Sequence, residues 1–400
     1  MQSPAGPVDA DWYRHETAGE IAGSDNGLGC SANGTHAACT FRGTSANVSS
    51  YDFDGNRLWD SADLINEIAA SSVPLMLDGG DVVIGDNRAL YRFDSNGNIV
   101  WQTVMPRGGS PISPVLTQSG VIILGCFRGP VYAIDAATGA LLSYKFIRLD
   151  EADTGFFDTQ NTPAVVGDRV YISMQHKLNG GLDPDFIGAL VAIDVDVTQA
   201  EPSDRLQLVW SYEFGAQSNS SPLVIDNMVL FDGARPIPGV PLDPHLFGIR
   251  DEGSSVTELW TKSPPRLTFA SFAADPRGGF WHFMNGTPII TRRDIYTGNV
   301  IETINVDTLV DEIGVHMPSS AMTFSGAIDA PVLTLGVAAP GGDSYVLAID
   351  PNGPGLRWKC RINAASIESP QGQYPILSNG VEYRTIFWHG PGRGSCAGRE

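Results

Sequence analysis

The chain has 400 residues, of which 42% are hydrophobic, so it is long enough to bury one large core or several smaller ones. Its formal charge of −20 would repel a phosphate backbone, which argues against nucleic acid as a partner. No apolar stretch approaches the roughly 18 residues that a membrane-spanning helix needs, so we expect no membrane span. Because 45 Gly and 27 Pro punctuate many short apolar segments, the fold class is predicted to be all-β.

The first predicted element is DWYRHETA, an isolated strand. A repeated unit then follows, in which a strand ending in aliphatic-x-Asp leads through a turn with Asn or Thr before Gly to a strand that carries Trp. The copies are SSYDFDGNRLWD, ALYRFDSNGNIVWQT, VYAIDAATGALLSYKF, LVAIDVD with LQLVWSYEF, HLFGIRDEGSSVTELWTK, IITRRDIYTGNVIETI and YVLAIDPNGPGLRWKC. They recur at intervals of about 40 to 65 residues, the length that a blade of four antiparallel strands requires.

Each part of the repeat has a mechanical reason. Asp and Gly, as at Asp135 and Gly139, favour a tight turn because they tolerate positive φ or bond their own backbone. The Trp, as at Trp101, offers a large flat surface that can pack between neighbouring blades. The Trp residues are therefore predicted to be structural.

Seven copies leave a remainder, because SPQGQYPILSNGVEYRTIFWHG supplies two more strands after Trp358. Joined to the N-terminal strand, they would form an eighth blade, so that both termini close the ring and remove the exposed sheet edges. We predict one domain over residues 1–400, an eight-bladed β-propeller of four-stranded antiparallel blades, with seven blades as the alternative. The predicted blades cover residues 27–61, 71–103, 110–147, 158–214, 217–262, 267–305, 317–361, and 366–390 with 10–20.

The pattern A-x-D-x-x-T-G is clearest at Ala133, Asp135, Thr138 and Gly139. It resembles the docking repeat of quinoprotein dehydrogenases, the pyrroloquinoline-quinone-like propeller family. It is also similar to the repeats of the propeller lipoprotein of outer-membrane protein assembly. The resemblance covers nearly the whole chain and implies the propeller fold. It implies no single function, because the superfamily holds redox enzymes, lyases, assembly factors and sensor domains.

The resemblance also bears on the cofactor. The large dehydrogenases of that family hold pyrroloquinoline quinone under a disulfide between adjacent cysteines, beside a Ca²⁺ site. This chain has five Cys and no two of them are adjacent, which argues against that cofactor. The sequence does not indicate which cofactor, if any, the chain binds instead.

Long insertions between second and third strands, at 175–188, 234–247 and 338–344, share one face with the links between blades, because antiparallel strands alternate in direction. A propeller ligand sits at one end of the central channel, and loops there carry function. We therefore predict that this face is the functional one. The binding candidates around this channel mouth are Arg107, Arg128, Gln160, Asn161, Lys177, Asn219, Arg235, Glu368 and Gln371.

Four histidines fall near strand ends on the same face and are the catalytic candidates: His176, His245, His316 and His389. Converging imidazoles could bind a divalent metal or act as general acids and bases. Arg107, Arg128 and Arg235 could hold a carboxylate through paired hydrogen bonds.

Two functions stay open. One is a propeller that binds a small-molecule or glycan ligand, or a protein partner, at the channel mouth without chemistry. The alternative is a lyase or hydrolase that uses the His and Arg residues on an anionic substrate such as a uronate-containing glycan. The sequence gives no oligomeric state.

The cysteines suggest the compartment. Cys30 and Cys39 flank a short turn-rich loop, while Cys360 ends a strand and Cys396 lies near the C-terminus. Disulfides Cys30–Cys39 and Cys360–Cys396 would pin both chain ends, and Cys126 is then a buried free thiol. Disulfides persist in oxidising compartments, so we expect a secreted or periplasmic protein. The opening MQSPAGPVDADW has no basic start and no apolar core, so we expect the signal peptide to be absent from this chain.

Overall fold

The structure is a computed structural model, and it consists of antiparallel sheets. It describes residues 26–33, 35–42, 48–52, 56–61, 73–86, 88–150, 154–178, 181–182, 187–217, 220–237, 240–264, 272–284, 286–310, 317–318, 322–325, 331–338, 344–353, 355–362, 376–378, 381–383 and 395–398.

Within these residues the sheets form seven blades of a β-propeller, each with four antiparallel strand positions. Blade 1 contains β1 Asn26–Ala32, β2 Ala37–Arg42, β3 Val48–Tyr51 and β4 Arg57–Asp60. Blade 2 contains β5 Leu75–Met76, β6 Val82–Gly85, β7 Ala89–Phe93 and β8 Ile99–Val104. Blade 3 contains β9 Ser110–Pro111, β10 Val115–Leu116, β11 Val121–Leu124, β12 Cys126–Phe127, β13 Val131–Asp135 and β14 Leu141–Lys145.

Blades 4 and 5 have longer middle strands than blades 1 to 3. Blade 4 contains β15 Phe156–Asp158, β16 Ala164–Val166, β17 Arg169–Leu178, β18 Gly181–Leu182, β19 Gly188–Val195 and β20 Leu206–Glu213. Blade 5 contains β21 Ala216–Gln217, β22 Leu223–Ile225, β23 Met228–Ile237, β24 Val240–Asp251 and β25 Val256–Lys262. Blade 6 contains β26 Ala273–Ala274, β27 Phe280–Phe283, β28 Ile289–Arg293 and β29 Val300–Asn305.

Blade 7 contains β30 Met317–Pro318, β31 Thr323–Ser325, β32 Val332–Ala338, β33 Ser344–Asp350 and β34 Gly355–Ile362. The remaining strands are β35 Ile376–Ser378, β36 Val381–Tyr383 and β37 Ser395–Gly398. A short helix, α1 Val306–Val310, links blades 6 and 7, and a single 3₁₀ turn covers Pro202–Asp204. Within the described part of the chain, no helix is long and apolar enough to cross a membrane.

The blade count corrects the main prediction. The structure agrees with the seven-blade alternative and not with eight blades. Of the segments assigned to the eighth blade, residues 366–390 are described only at the hairpin of β35 and β36, and residues 10–20 lie outside the described residues. The hairpin is a two-stranded sheet that contacts β31 of blade 7 and β1 of blade 1, and two short strands do not make a four-stranded blade.

The hydrophobic core lies between blades rather than inside a single sheet. One cluster combines Tyr171 and Trp210 of blade 4 with Phe231 and Phe247 of blade 5, and the other clusters join neighbouring blades in the same way. Because both faces of a middle strand are covered, its sequence can be apolar without alternation. All four residues of β11 are buried for this reason.

The repeated Trp connects blades 1, 2, 4 and 5 to the blades that follow them, as predicted. Trp101 in β8 donates its indole N–H to the carbonyl of Ala136 in the turn of blade 3, at 3.1 Å. Trp59 and Trp260 donate in the same way to the carbonyls of Ser95 and Ile295 in the next blade, and Trp210 donates to the carboxylate of Asp251 in blade 5. Each bond gives the indole donor a partner and places the ring against the neighbouring turn.

The turn Gly lies directly beneath the ring. Gly139 has φ +74°, and a Cβ added there would lie 2.7 Å from Trp101. Gly97 and Gly298 stand in the same relation to Trp59 and Trp260. The Gly of the repeat is therefore required both by backbone conformation and by the close approach of the preceding blade.

We expect Gly139→Ala to lower the free energy of unfolding by about 2–3 kcal/mol, because it combines a left-handed backbone with a clash against Trp101. Gly120→Ala is the matched control, since Gly120 has φ +80° but nothing within 4 Å of an added Cβ. Urea unfolding of both variants measures the difference. Equal losses would show that the indole contact contributes nothing beyond backbone strain.

Candidate functional site

The face that carries the interblade links and the loops after the second strands also holds several predicted site residues. Arg107 lies in the link from β8 to β9, and Arg128 lies between β12 and β13. His176 and Lys177 end β17, and His245 lies in the first half of β24. Strand direction therefore brings residues from blades 2 to 5 to one end of the propeller.

Asp158 and Lys177 form a buried ion pair under this face. Lys177 lies opposite Phe156 in the pairing of β15 with β17, and its Nζ lies 3.6 Å from Oδ1 of Asp158. The two side chains are 1% and 5% exposed. Burial raises the pKa of the Asp158 carboxyl above its usual range, while the N–H of Arg128 and the Lys177 ammonium oppose that rise.

The ion pair supports Arg128. The backbone N–H of Arg128 donates to Oδ2 of Asp158 at 2.7 Å, and Arg128 adopts φ +58°, which few non-Gly residues do. The guanidinium of Arg128 and the ammonium of Lys177 each lie 5.0 Å from the centroid of the Phe127 ring. The buried carboxylate and this ring therefore hold an exposed guanidinium in one place.

Two further arginines are exposed on loops that flank blade 3. Arg107 lies 6.0 Å from the ring of Tyr144, and its backbone N–H donates to the hydroxyl of Tyr132 at 3.2 Å. That hydroxyl donates to the carbonyl of Gly108, and burial raises the pKa of Tyr132 to about 12. Arg148 donates from Nε to the carbonyl of Gly155 at 3.0 Å. We call Arg107, Arg128 and Arg148 the basic patch.

The two described histidine candidates pack on aromatic rings. His176 is buried, with its ring 4.9 Å from that of Phe157. His245 stacks on Phe247 at 5.8 Å and donates from Nδ1 to the carbonyl of Asp243 at 2.8 Å. That bond fixes the proton of a neutral His245 on Nδ1, so Nε2, which lies 3.6 Å from the Asp243 carboxylate, carries the free electron pair.

Asn161 joins two blades. Its side chain is buried and donates to the carbonyl of Ser220 in blade 5 at 2.8 Å, and its backbone N–H donates to Oγ1 of Thr159. Asn161 lies in the short segment that separates β15 from β16, the two parts of the innermost strand of blade 4. The neighbouring Gln160 is exposed.

The structure describes only part of the predicted site. Asn219, His316, Glu368, Gln371 and His389 lie outside the described residues, and only the backbone of Arg235, in β23, is described. In the part of the chain that the structure does describe, no group of three or more His, Cys, Asp or Glu side chains could hold a metal ion. Cys126 is a buried free thiol, as predicted, and burial raises its pKa.

Sequence reasoning missed Phe127, Arg148, Asp158 and His282. Asp158 ends the apolar run FFD and His282 lies inside the apolar run FWHF, so a polar residue in an otherwise buried strand was the available signal. The ring of His282 is buried, and neither of its nitrogens has a hydrogen-bond partner within the described part of the chain. Burial, with a smaller contribution from Arg293, lowers the pKa of His282 to about 3.

Comparison with known proteins agrees with this architecture. The family model PQQ_2, described as outer membrane protein assembly factor BamB, matches residues 12–232. No curated protein matches the chain.

Solved structures share the fold at low sequence identity. BamB from Moraxella catarrhalis is 16% identical, with 78% of this chain and 82% of that chain covered and a TM-score of 0.52. The Pan2 WD40 domain of Neurospora crassa is 13% identical, with 83% and 91% covered and a TM-score of 0.51. At such identities the likeness shows the propeller fold alone.

We expect Asp158→Asn to lower the free energy of unfolding by about 3 kcal/mol, because it leaves the Lys177 ammonium buried without a counter-charge. Adding Lys177→Met should recover much of the loss, since no buried charge then remains. Urea unfolding of the two single variants and the double variant measures the coupling. Additive losses would show that the two groups do not stabilise each other.

His282 should make stability fall in acid. The unfolded chain takes up a proton near the ordinary value of 6.5, whereas the folded chain resists protonation down to about 3. Between these limits the unfolded state binds more protons, so stability falls as the pH falls, by up to about 1.4 kcal/mol per pH unit. Urea unfolding at several pH values in this range should show a shallower slope for His282→Phe, and an unchanged slope would contradict the assignment.

Proposed function

We propose, because this chain belongs to the family described as outer membrane protein assembly factor BamB, that it binds a protein partner in outer membrane protein assembly. The binding surface is the face of the basic patch, at the mouth of the channel. The compartment that fits this role is the periplasm.

The observation that carries the proposal is the basic patch itself. The chain has 45 acidic and 25 basic residues, yet Arg107, Arg128 and Arg148 are all exposed around blade 3 on one face. Arg is enriched at protein interfaces because its planar group stacks on rings and bonds carboxylates with two parallel bonds. A cation cluster on an acidic protein would steer an acidic surface toward this face.

The arginines are also held before binding. Arg128 and Arg107 lie over the rings of Phe127 and Tyr144, and the backbone of each is bonded to a buried side chain. Because side chains that are ordered in advance lose less entropy on binding, this arrangement supports a recognition surface. The same arginines would also bind the carboxylate of a small-molecule or glycan ligand, which is the other kind of partner that the sequence left open.

We do not propose the lyase or hydrolase alternative. His176 and His245 each pack on a phenylalanine ring, and among the described residues no group of three or more His, Cys, Asp or Glu side chains could hold a metal ion.

The periplasmic assignment is supported by the cysteine register. Cys30 lies opposite Cys39 in the pairing of β1 with β2, and Cys360 lies opposite Cys396 in the pairing of β34 with β37. Directly opposed residues of antiparallel strands have Cα atoms about 4.5–5.5 Å apart, within the range that a disulfide spans. Both disulfides remain predictions, which peptide mapping under non-reducing conditions would decide.

The partner can be captured by a photo-crosslinking amino acid at exposed Gln160, with a second probe at Asn96 on the opposite face as a control. We expect a crosslinked protein from Gln160 only, and Arg107→Glu with Arg128→Glu should reduce the yield about ten-fold at low salt. Arg250→Glu, an exposed charge reversal near the opposite face, should leave the yield unchanged. Equal yields from both probes, or no effect of the patch variants, would contradict the proposal.

A further inference from the structure

The outer strand of blade 2 differs from every other outer strand that the structure describes. β8 reads IVWQTV and carries no charged residue. The outer strands of the other six blades, β4, β14, β20, β25, β29 and β34, each contain at least one Asp, Glu, Lys or Arg. Charged side chains on an edge strand discourage pairing with another chain, so β8 lacks a protection that its counterparts have.

β8 also exposes aliphatic side chains. Ile99, Val100 and Val104 are 41%, 48% and 67% exposed, while Trp101 and Thr103 are buried against the turn of blade 3. β7 pairs with its inner edge, and no described strand pairs with its outer edge. Within the described part of the chain, β8 is therefore hydrogen-bonded along one edge and unpaired along the other.

The fold already accepts a fifth strand at an outer edge. In blade 7, β37 pairs antiparallel with the outer strand β34, with Arg361 opposite Ser395 and Trp358 opposite Gly398. Strand addition to a blade is therefore compatible with the spacing of blades in this ring. β34 carries three basic residues and is paired with β37 of its own chain, whereas no strand among the described residues pairs with the outer edge of uncharged β8.

The charges at the two ends of β8 indicate what would cover it. Arg88 and Arg107 are exposed at the end near Val104, and the N–H of Met105 is bonded to the carbonyl of Arg88. Asp94 lies in the turn at the Ile99 end. An antiparallel strand would begin beside the arginines and end beside Asp94, so acidic residues fit its start and basic residues fit its end.

We infer that the outer edge of β8 is a strand-addition site for an extended segment of a partner protein, in which acidic residues precede alternating β-branched residues and basic residues follow. A second copy of this chain fits less well, because pairing two β8 edges would bring together two chains of formal charge −20. The site is separate from the basic patch, although Arg107 borders both.

The probe is a fluorescein-labelled peptide, Asp-Asp-Thr-Val-Thr-Val-Thr-Val-Lys-Lys, whose binding to the full chain is followed by fluorescence anisotropy. The matched peptide is N-methylated at alternate residues, which removes the backbone donors and keeps the side chains. Val100→Lys with Val104→Lys places two charges on β8. Val300→Lys with Ile301→Lys does the same on β29, where both residues are 49% exposed.

We expect the parent peptide to bind, and both its N-methylation and the β8 variant to weaken binding about ten-fold or more, while the β29 variant binds as the parent chain does. Hydrogen exchange of residues 99–104 should slow when the peptide is present. Because N-methylation alters only the peptide, the comparison of the two peptides stays decisive even if the lysine variants fold poorly.

Three results would overturn the inference. The first is no binding at about 1 mM peptide, a concentration that detects even weak association. The second is equal binding of the N-methylated peptide or an equal loss in the β29 variant, either of which would indicate non-specific adsorption. The third is sedimentation of the chain alone as a dimer that the β8 variant abolishes, which would assign the edge to a second copy.

Discussion

The contact between an indole ring and the turn of the next blade is the interaction on which the rest of this structure depends. A four-stranded blade cannot bury both of its faces alone, so the core exists only between blades. Trp101 fixes how blades 2 and 3 meet, because its ring needs a Gly beneath it and its N–H needs a carbonyl at one position. The repeat thus specifies the interface between blades as well as the turn within one.

Because the Trp rings and the turns that receive them occupy one face of the propeller, the sequence of the opposite face is free to vary. The turns that receive the Trp rings lie at one end of the propeller, and the interblade links lie at the other. A buried ion pair such as Asp158 with Lys177 is costly, since desolvating two charges offsets most of their attraction. In this protein the ion pair fixes the position of an exposed cation, because the Asp158 carboxylate accepts a hydrogen bond from the strained backbone of Arg128.

The sequence was sufficient for the parts of the fold that depend on local chemistry. Turn residues such as Asp135 and Gly139, and the ring at Trp101, act over a few residues or between adjacent blades, so the repeat predicted them correctly. The blade count was wrong because ring closure depends on segments from both ends of the chain. Lys177 was named as a binding candidate, but its contacts with Phe127 and Asp158 could not be predicted, since the three residues come from two blades and only the folded ring brings them together.

The distribution of charge connects the two surfaces. A chain of formal charge −20 stays soluble and resists self-association, so any exposed region without acidic residues is open to other molecules. The exposed arginines of the basic patch and the uncharged strand β8 are the two regions that depart from this negative charge. The two surfaces recognise different features of a partner. The guanidinium groups of the basic patch bind carboxylates in any backbone conformation, whereas the edge of β8 requires an extended chain with free N–H and C=O groups. Arg107 follows β8 and belongs to the patch, so an acidic segment drawn to the arginines would already lie at the end of the strand where pairing begins.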